Sequence, residues 1–223
     1  MIGPCISIFY QDIKNIVEKL EVIPKDIALE IRLDRVRPGI TIEIPRKQLN
    51  GRVLILTVRT QSEGGYNNWG EEEILRLYSR MIDLYPDYID IGIEVDKHGE
   101  ILDIAKEKKV KTICSYHNPI ETPELKELIE IYRYIESLNP DIIKIVTYAK
   151  EVEDNDKIVK LMIYMWGKKP ITAFCMGPRG RISRIYNLLL MGAVTYLALD
   201  RETAEGQLTL DEYLKLKEVY KYV

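Results

Sequence analysis

Residues 110–146 read VKTICSYHNPIETPELKELIEIYRYIESLNPDIIKIV and contain two short apolar runs rich in β-branched residues, at 110–115 and 142–146. Such runs predict two buried strands. Thr122 before Pro123 has the pattern of a helix N-cap followed by a proline at the first helical position. The segment is therefore predicted to be a strand–helix–strand unit of a parallel sheet. Apolar residues at helical spacing give its helix one buried face: Leu125, Leu128, Ile129, Tyr132 and Ile135.

The same alternation of strand and helix continues in both directions from this segment. Most of the apolar runs are continuous, as is typical of strands covered on both faces. Eight units fit an α/β fold of the (β/α)8 TIM-barrel type, and a doubly wound open sheet is the alternative. No low-complexity linker or shift in composition divides the chain, so we expect a single domain over residues 1–223. The predicted strands are 5–9, 27–33, 53–58, 88–93, 110–115, 142–146, 171–174 and 193–197.

Charge and composition restrict the classes of partner. The chain has 223 residues, with 32 Lys and Arg scattered among 35 Asp and Glu, so nucleic acid is not expected. No run approaches the roughly 18 apolar residues of a membrane span, and the start does not resemble a secretion signal. The three cysteines lie in apolar stretches without zinc-site spacing. We expect a soluble, cytoplasmic protein with reduced core cysteines and no bound metal.

In a closed barrel, the working groups lie at the carboxyl ends of the strands. The period of two along strand two places Glu30 and Arg32 on one side, as an internal ion pair or as binding groups. Arg59 and Glu63 flank a turn into Gly64-Gly65 and can both reach the barrel mouth. This end of the predicted barrel therefore carries several opposite charges.

One of the two histidines, His117, follows the strand predicted at 110–115. Imidazole titrates near neutral pH, so this position suits acid–base chemistry. A histidine in a loop is, however, more often a surface residue. His117 is therefore a candidate on position alone.

Lys144 interrupts an otherwise apolar strand, and a buried ammonium group is costly. It either pairs with a carboxylate such as Glu30 or serves as an amine nucleophile. A free lysine with a pKa of ~10.4 is almost entirely protonated at neutral pH, so the second role needs burial or nearby cations. Arg32, Arg59 and Arg184 are the candidate cations.

Residues 176–184 read MGPRGRISR and follow the seventh predicted strand. A glycine-rich, basic turn that opens a helix is suited to binding a phosphate or a carboxylate. The segment lacks the glycine-lysine-serine ending of a Walker loop. It is either an anion site or a basic turn without a ligand.

Taken together, these motifs resemble the type I 3-dehydroquinate dehydratase family, whose motifs occur in the same order over nearly the whole chain. The resemblance implies a TIM barrel without cofactor that converts 3-dehydroquinate to 3-dehydroshikimate, an intermediate of aromatic amino-acid biosynthesis in the shikimate pathway, usually as a homodimer. The matching segments are 30–34 (EIRLD), 57–65 (TVRTQSEGG), 115–123 (SYHNPIETP), Lys144, 176–184 and 206–207 (GQ).

The resemblance also implies roles for individual residues. Lys144 would form an imine with the C3 ketone, while His117 would take the C2 proton and then protonate the departing C1 hydroxyl. Glu63 would orient His117. Met176 and Tyr196 are weaker candidates for the pocket wall. The substrate-binding residues would be Glu30, Arg32, Arg59, Arg184, Thr203, Gln207 and Ser7.

Two segments depart from the family pattern. Residues 203–207 read TAEGQ where SAPGQ is common, so the loop closing over the substrate would differ in stiffness. The fourth strand reads DIGIE at 90–94 where Asp-x-Glu is usual, and we leave Glu94 out of the site. Two other functions stay open: a class I aldolase or transaldolase, which also uses a barrel lysine, and a barrel that binds an anion without catalysis.

Overall fold

The computed structural model describes residues 1–37, 39–66 and 69–220. Strands and helices alternate along the chain. The strands are β1 (Gly3–Phe9), β2 (Ala28–Arg32), β3 (Leu54–Thr57), β4 (Tyr88–Gly92), β5 (Lys111–His117), β6 (Ile142–Tyr148), β7 (Ile171–Met176), β8 (Val194–Ala198) and the two-residue β9 (Leu208–Thr209). The helices are α1 (Ile13–Val22), α2 (Arg46–Leu49), α3 (Glu71–Asp83), α4 (His98–Glu107), α5 (Leu125–Ser137), α6 (Asp154–Tyr164), α7 (Arg181–Leu189) and α8 (Leu210–Val219).

Parallel pairing of neighbouring strands runs without interruption from β1 to β7, and β8 pairs with the other edge of β1. The remaining join, between β7 and β8, is made by the Ala193 N–H, which donates to the Ile171 carbonyl at 2.8 Å. A second hydrogen bond at this join has a side-chain acceptor: the Val194 N–H donates to the Thr172 hydroxyl at 2.8 Å. The predicted TIM barrel is therefore confirmed.

Inside the barrel, apolar residues fill the end near the strand amino termini, whereas charged and polar side chains occupy the opposite end. Ile55, Ile113 and Ile142 belong to the inner apolar cluster. The outer helices cover the strands with their apolar faces; in α5, Leu128, Tyr132 and Ile135 are fully buried. This layering leaves polar groups concentrated at the carboxyl ends of the strands.

The predicted strands overlap all eight barrel strands, with differences at the ends. β5 continues two residues beyond its predicted end, so His117 is the last residue of a strand rather than part of a loop. The predicted N-cap at Thr122 is wrong: α5 starts at Leu125, and the Thr122 hydroxyl instead bonds to the Thr147 hydroxyl on β6 at 2.8 Å. Within the expected domain 1–223, residues 38, 67, 68 and 221–223 lie outside the described residues.

None of the helices formed by the described residues combines the length and the apolar character required for a membrane crossing. The three cysteines are free and buried, as predicted.

Candidate active site

A cavity of about 270 Å³ opens at the carboxyl ends of the strands. Most of the sequence-predicted site residues line it. Ser7 does not; it lies beneath the cavity and reaches the site through a hydrogen bond to Glu30. The predicted residues along the wall are Glu30, Arg32, Arg59, Glu63, His117, Lys144, Arg184, Thr203 and Gln207, with Met176 and Tyr196.

The centre of the cavity is organised by Asp90, which projects inward from β4 and is fully buried. One carboxylate oxygen lies 2.8 Å from both the Lys144 ammonium and the Arg59 guanidinium, and the other accepts the Ser115 hydroxyl at 2.5 Å. Ser115 in turn accepts a hydrogen bond from Arg59. Lys144 is therefore paired with Asp90 and not with Glu30.

Burial and neighbouring charges act in opposite directions on this central pair. Burial alone would raise the pKa of Asp90, but Arg59 and Lys144 hold that pKa well below its ordinary value. Burial also lowers the pKa of Lys144, with Arg59 adding to the effect and Asp90 opposing it. Asp90 thus stays ionised, and the proton on Lys144 is held less firmly than on a lysine in water.

The Lys144 ammonium also lies 4.1 Å from the centroid of the Tyr196 ring, which is buried on β8. An aromatic face attracts a cation and restricts its position. Tyr196 therefore helps to fix the direction of the lysine amine.

Glu63 enters the site from the loop after β3. Its carboxylate accepts hydrogen bonds from Arg59 at 2.9 Å, from the Thr60 hydroxyl at 2.8 Å and from the Thr60 N–H at 3.1 Å. The tight turn depends on glycine, since Gly64 has a φ of +82° and a Cβ at Gly65 would lie 2.0 Å from the Arg59 carbonyl oxygen.

His117 lies beside Glu63 on the cavity wall, with its Nδ1 3.5 Å from the Glu63 carboxylate. Burial, followed by the charge of Arg59, lowers the pKa of His117 to about 3. Burial would raise the pKa of Glu63, but Arg59 and His117 bring it to about 2. At neutral pH a neutral imidazole, able to accept a proton, therefore faces an ionised carboxylate.

On the other side of Lys144, Glu30 accepts hydrogen bonds from the hydroxyls of Ser7 and Thr57, the second at 2.7 Å. Arg32 does not pair with Glu30. It forms a two-pronged ion pair with Asp34, at 2.8 and 3.0 Å. Glu30 and Arg32 thus both line the cavity, as expected for binding groups. The alternative, an ion pair between them, is not formed, because Arg32 pairs with Asp34.

Arg184, on α7, also borders the cavity and is 3% exposed. Its guanidinium lies 4.1 Å from the centroid of the Phe174 ring and donates to the Glu205 carbonyl at 3.1 Å. Its contacts among the described residues are thus an aromatic ring and a backbone carbonyl rather than a carboxylate, and its Nε–H has no acceptor. Burial lowers the pKa of Arg184 to about 9.

The loop 203–207 folds over this side of the cavity. The Gln207 side-chain oxygen accepts the Thr203 N–H at 2.7 Å, and the Thr203 hydroxyl donates to Ser7 at 2.9 Å. The Gly206 N–H donates to Glu202 at 2.9 Å. Internal hydrogen bonds therefore hold the loop where the common sequence has a proline.

Sequence reasoning missed Asp90 as a site residue. The signal was available, because Asp90 lies within a buried strand and its acid group requires a partner inside the protein. Glu94 is exposed outside the barrel, and the place two residues after Asp90 on the inner face belongs to Gly92. The described residues contain no group of three His, Cys, Asp or Glu placed to hold a metal ion.

Comparison with known proteins finds a family, relatives and solved structures to which this chain is similar. A sequence model of the type I 3-dehydroquinase family matches residues 4–222. A 3-dehydroquinate dehydratase of Thermococcus onnurineus is 42% identical over 166 residues, covering 74% of this chain and 75% of the relative. One from Pyrococcus abyssi is 35% identical over 205 residues, covering 92% of both chains.

Solved structures agree in fold. The 3-dehydroquinate dehydratase of Aquifex aeolicus superposes with a TM-score of 0.79 over 99% of both chains at 25% identity. The type I enzyme of Clostridium difficile has a TM-score of 0.85, covering 99% of this chain and 92% of its own, at 22% identity.

Proposed function

The chain belongs to the type I 3-dehydroquinase family and is thus a hydro-lyase acting on 3-dehydroquinate; on that premise we propose that it works through an imine on Lys144. The observation that carries this proposal is the convergence of Lys144, His117 and Glu63 on one cavity. An aldolase-type barrel would share the lysine, but the family membership favours dehydration.

Asp90 allows Lys144 to change its charge without leaving a buried carboxylate unpaired. In the resting site it accepts the ammonium, but Arg59 and Ser115 also bind it. As the Lys144 amine adds to the C3 ketone, the two protons that its nitrogen gives up pass to the ketone oxygen, and Arg59 and Ser115 remain bound to Asp90. Loss of water then gives an iminium, whose positive charge occupies the place of the ammonium near Asp90.

His117 would carry out the proton transfers. The iminium acidifies the neighbouring C2 hydrogen, and the neutral imidazole accepts that proton. The imidazolium then protonates the C1 hydroxyl, which leaves as water and restores the neutral imidazole. Glu63 would stabilise the imidazolium in the interval, because its pKa of about 2 keeps it ionised. Hydrolysis of the imine releases 3-dehydroshikimate and frees Lys144.

Arg184 would bind the carboxylate of the substrate. A buried guanidinium without a carboxylate partner among the described residues has donors available for a bidentate anion. Thr203 and Gln207 close the cavity beside it. Glu30, Arg32 and Arg59 border the remaining wall, where the ring hydroxyls of the substrate would lie, with Ser7 supporting Glu30 from below.

We further propose that the protein acts in the shikimate pathway of the cytoplasm, without a cofactor, as a homodimer. Light scattering of the purified protein at several concentrations tests the assembly. A mass of twice 26.0 kDa supports the dimer, and a mass of 26.0 kDa contradicts it.

Borohydride trapping tests the chemistry. The protein is mixed with 3-dehydroquinate and borohydride, which reduces an imine to a stable amine, and the adduct is located by peptide mass spectrometry. Lys144→Ala is the test variant, and Lys160→Ala, which removes an exposed lysine of α6, is the matched control. We expect one adduct, on Lys144, in the wild type and in Lys160→Ala, and no adduct in Lys144→Ala.

Product formation is followed in parallel by the absorbance of the conjugated enone of 3-dehydroshikimate. Turnover without an adduct would contradict the imine. An adduct on exposed lysines at the same rate as on Lys144 would show nonspecific chemistry. Binding of 3-dehydroquinate without turnover or adduct would favour the anion-binding barrel.

A further inference from the structure

Gly92, the last residue of β4, occupies the inner face of the barrel two residues after Asp90. It is buried and lies opposite Ser115 in the β4–β5 register. Its φ is not in the positive range that favours glycine, so the backbone at this position accepts other residues. The glycine is therefore explained by the lack of room for a side chain and not by its backbone conformation.

That space is occupied by the Glu63 carboxylate. A Cβ built on Gly92 would lie 2.1 Å from Oε1, 2.6 Å from Cδ and 2.8 Å from Oε2 of Glu63. Nonbonded carbon and oxygen atoms in van der Waals contact are about 3.5 Å apart, so these distances exclude a side chain while Glu63 stays in place. The absence of a side chain on β4 is thus a condition for the observed position of the carboxylate.

The carboxylate is also bound from the opposite side. Arg59 and both the hydroxyl and the N–H of Thr60 donate to it, and Glu63 is 2% exposed. In this position Oε1 lies 3.5 Å from Nδ1 of His117. A group at residue 92 would displace the carboxylate from these donors and from the imidazole.

We propose that Gly92 is a positioning residue for the acid–base step: its missing side chain provides the room in which Glu63 faces His117. Gly92 would act through Glu63 and not by contact with substrate. This inference rests on the proposed function, because it concerns the residue that supports His117 in that reaction.

The test variant is Gly92→Ala, and the control is Gly99→Ala, since an added Cβ at exposed Gly99 on α4 meets nothing within 4 Å. General acid–base catalysis contributes about 10²–10⁴-fold, and we expect Gly92→Ala to lose on the order of tenfold or more in kcat. We expect KM to change by less than about twofold, because the substrate contacts remain. Gly99→Ala should match the wild type.

The pH profile of kcat supplies a readout that a general loss of packing would not move. Burial and Arg59 lower the pKa of His117, whereas the negative charge of Glu63, 3.5 Å from Nδ1, raises that pKa against their effect. Displacement of Glu63 lowers that pKa, so the limb on which activity falls with protonation of the base should move to lower pH in Gly92→Ala. The inference is overturned if the wild type is active and Gly92→Ala changes neither kcat nor the pH at which this limb lies.

Four proteins show whether Gly92 acts through Glu63: the wild type, Gly92→Ala, Glu63→Ala and the double variant. If it does, Gly92→Ala lowers kcat when Glu63 is present and causes no further loss in Glu63→Ala. Equal losses in both backgrounds would overturn the inference.

Thermal unfolding of the same four proteins gives an answer that does not depend on catalysis. Gly92→Ala should lower Tm when Glu63 is present and have little effect in Glu63→Ala, because the truncated side chain no longer meets the new Cβ. This comparison also decides the matter if Gly92→Ala is too unstable for kinetics, since persistent instability of the double variant would overturn the inference. If the wild type shows neither turnover nor an adduct, the proposed function fails, while the unfolding comparison still reports on the steric relation.

Discussion

The two sides of the barrel mouth hold their charges differently. On the β3–β6 side, the charges of Arg59, Glu63, Asp90 and Lys144 form a connected set of ion pairs. On the β7–β8 side, Arg184 is equally buried but rests on an aromatic ring and a backbone carbonyl. The protein thus neutralises its own charges on the first side and leaves a positive charge available on the second.

This difference matches the division between chemistry and recognition in the proposed reaction. Groups that must change protonation state need counter-charges already in place, because reorganising them during the reaction would cost free energy. A cationic group binds an anionic substrate most strongly when the protein provides no counter-charge of its own and the substrate supplies it. We therefore call these the paired side (Arg59, Glu63, Asp90, Lys144, with His117) and the open side (Arg184, with the loop 203–207).

The largest effect is expected at the centre of the paired side. Lys144→Ala removes the amine proposed to form the imine and should lower kcat on the order of 10⁴-fold or more, as does loss of other covalent catalytic groups. Binding of substrate to the open side should persist. Steady-state kinetics and calorimetric titration with 3-dehydroquinate check both parts, and a variant with full kcat would refute the mechanism.

His117→Gln should have the next largest effect. Because acid–base catalysis contributes about 10²–10⁴-fold, kcat should fall by about 10³-fold, whereas the imine on Lys144 should still form and be trapped by borohydride. His98→Gln, which changes the other histidine on α4, is the matched control. Failure to trap any adduct in His117→Gln would mean that His117 is needed for imine formation itself.

Sequence reasoning placed the barrel strands and named most of the residues that line the cavity on both sides, but it missed Asp90 at the centre of the paired side. The eight apolar runs were sufficient to place the strands, because burial on both faces imposes a continuous apolar pattern. Arg184 lies in the glycine-rich, basic segment 176–184, which by itself indicates a candidate anion site. The partners of Asp90 are distant in the chain, since Lys144 on β6 lies 54 positions away and Arg59 in the loop after β3 lies 31 positions away, so its sequence neighbours do not reveal what balances its charge.

Gly92 could not have been interpreted from sequence either. A glycine at the end of a strand usually indicates a turn or a bulge, and its relation to Glu63 depends on a contact between β4 and the loop after β3. Motifs therefore identified the residues to which we assign the reaction, whereas the groups that balance and position them became visible with the tertiary structure.

Arg59→Gln tests the dependence of the paired side on its ion pairs. The substitution leaves Glu63 and Asp90 buried with fewer counter-charges, and breaking a buried pair costs about 3–5 kcal/mol. We expect the free energy of unfolding to fall by about 3 kcal/mol, as measured by urea denaturation. A loss below about 1 kcal/mol would show that the paired side is not stabilised by these charges.

Arg184→Gln is the corresponding test of the open side and should give the opposite pattern. Since Arg184 lacks a carboxylate partner among the described residues, its removal should leave the free energy of unfolding within about 1 kcal/mol of the wild type. KM should rise about 10–100-fold, because a charged hydrogen bond to the substrate carboxylate is lost at about 1.5–3 kcal/mol. Arg184→Lys, which keeps the charge but not the fork, should lie between the two.

Acid pH should separate the two sides without any substitution. Burial and Arg59 lower the pKa of His117 to about 3, and Arg59 with His117 brings that of Glu63 to about 2. Both values lie below those of the unfolded chain, so the unfolded state binds more protons as the pH falls. The resulting stability is complete above about pH 6.5, the ordinary pKa of histidine, and is lost progressively towards pH 3.

Between pH 6.5 and 4.5, where carboxylates contribute least, His117 should account for up to about 1.4 kcal/mol of lost stability per pH unit. Urea denaturation at several pH values in this window measures that slope. His117→Gln should flatten it, and His98→Gln controls for the loss of a histidine elsewhere. A slope unchanged by His117→Gln would mean that the imidazole is not held neutral on the paired side, and the separation between the two sides would then rest on Arg59 and its carboxylates alone.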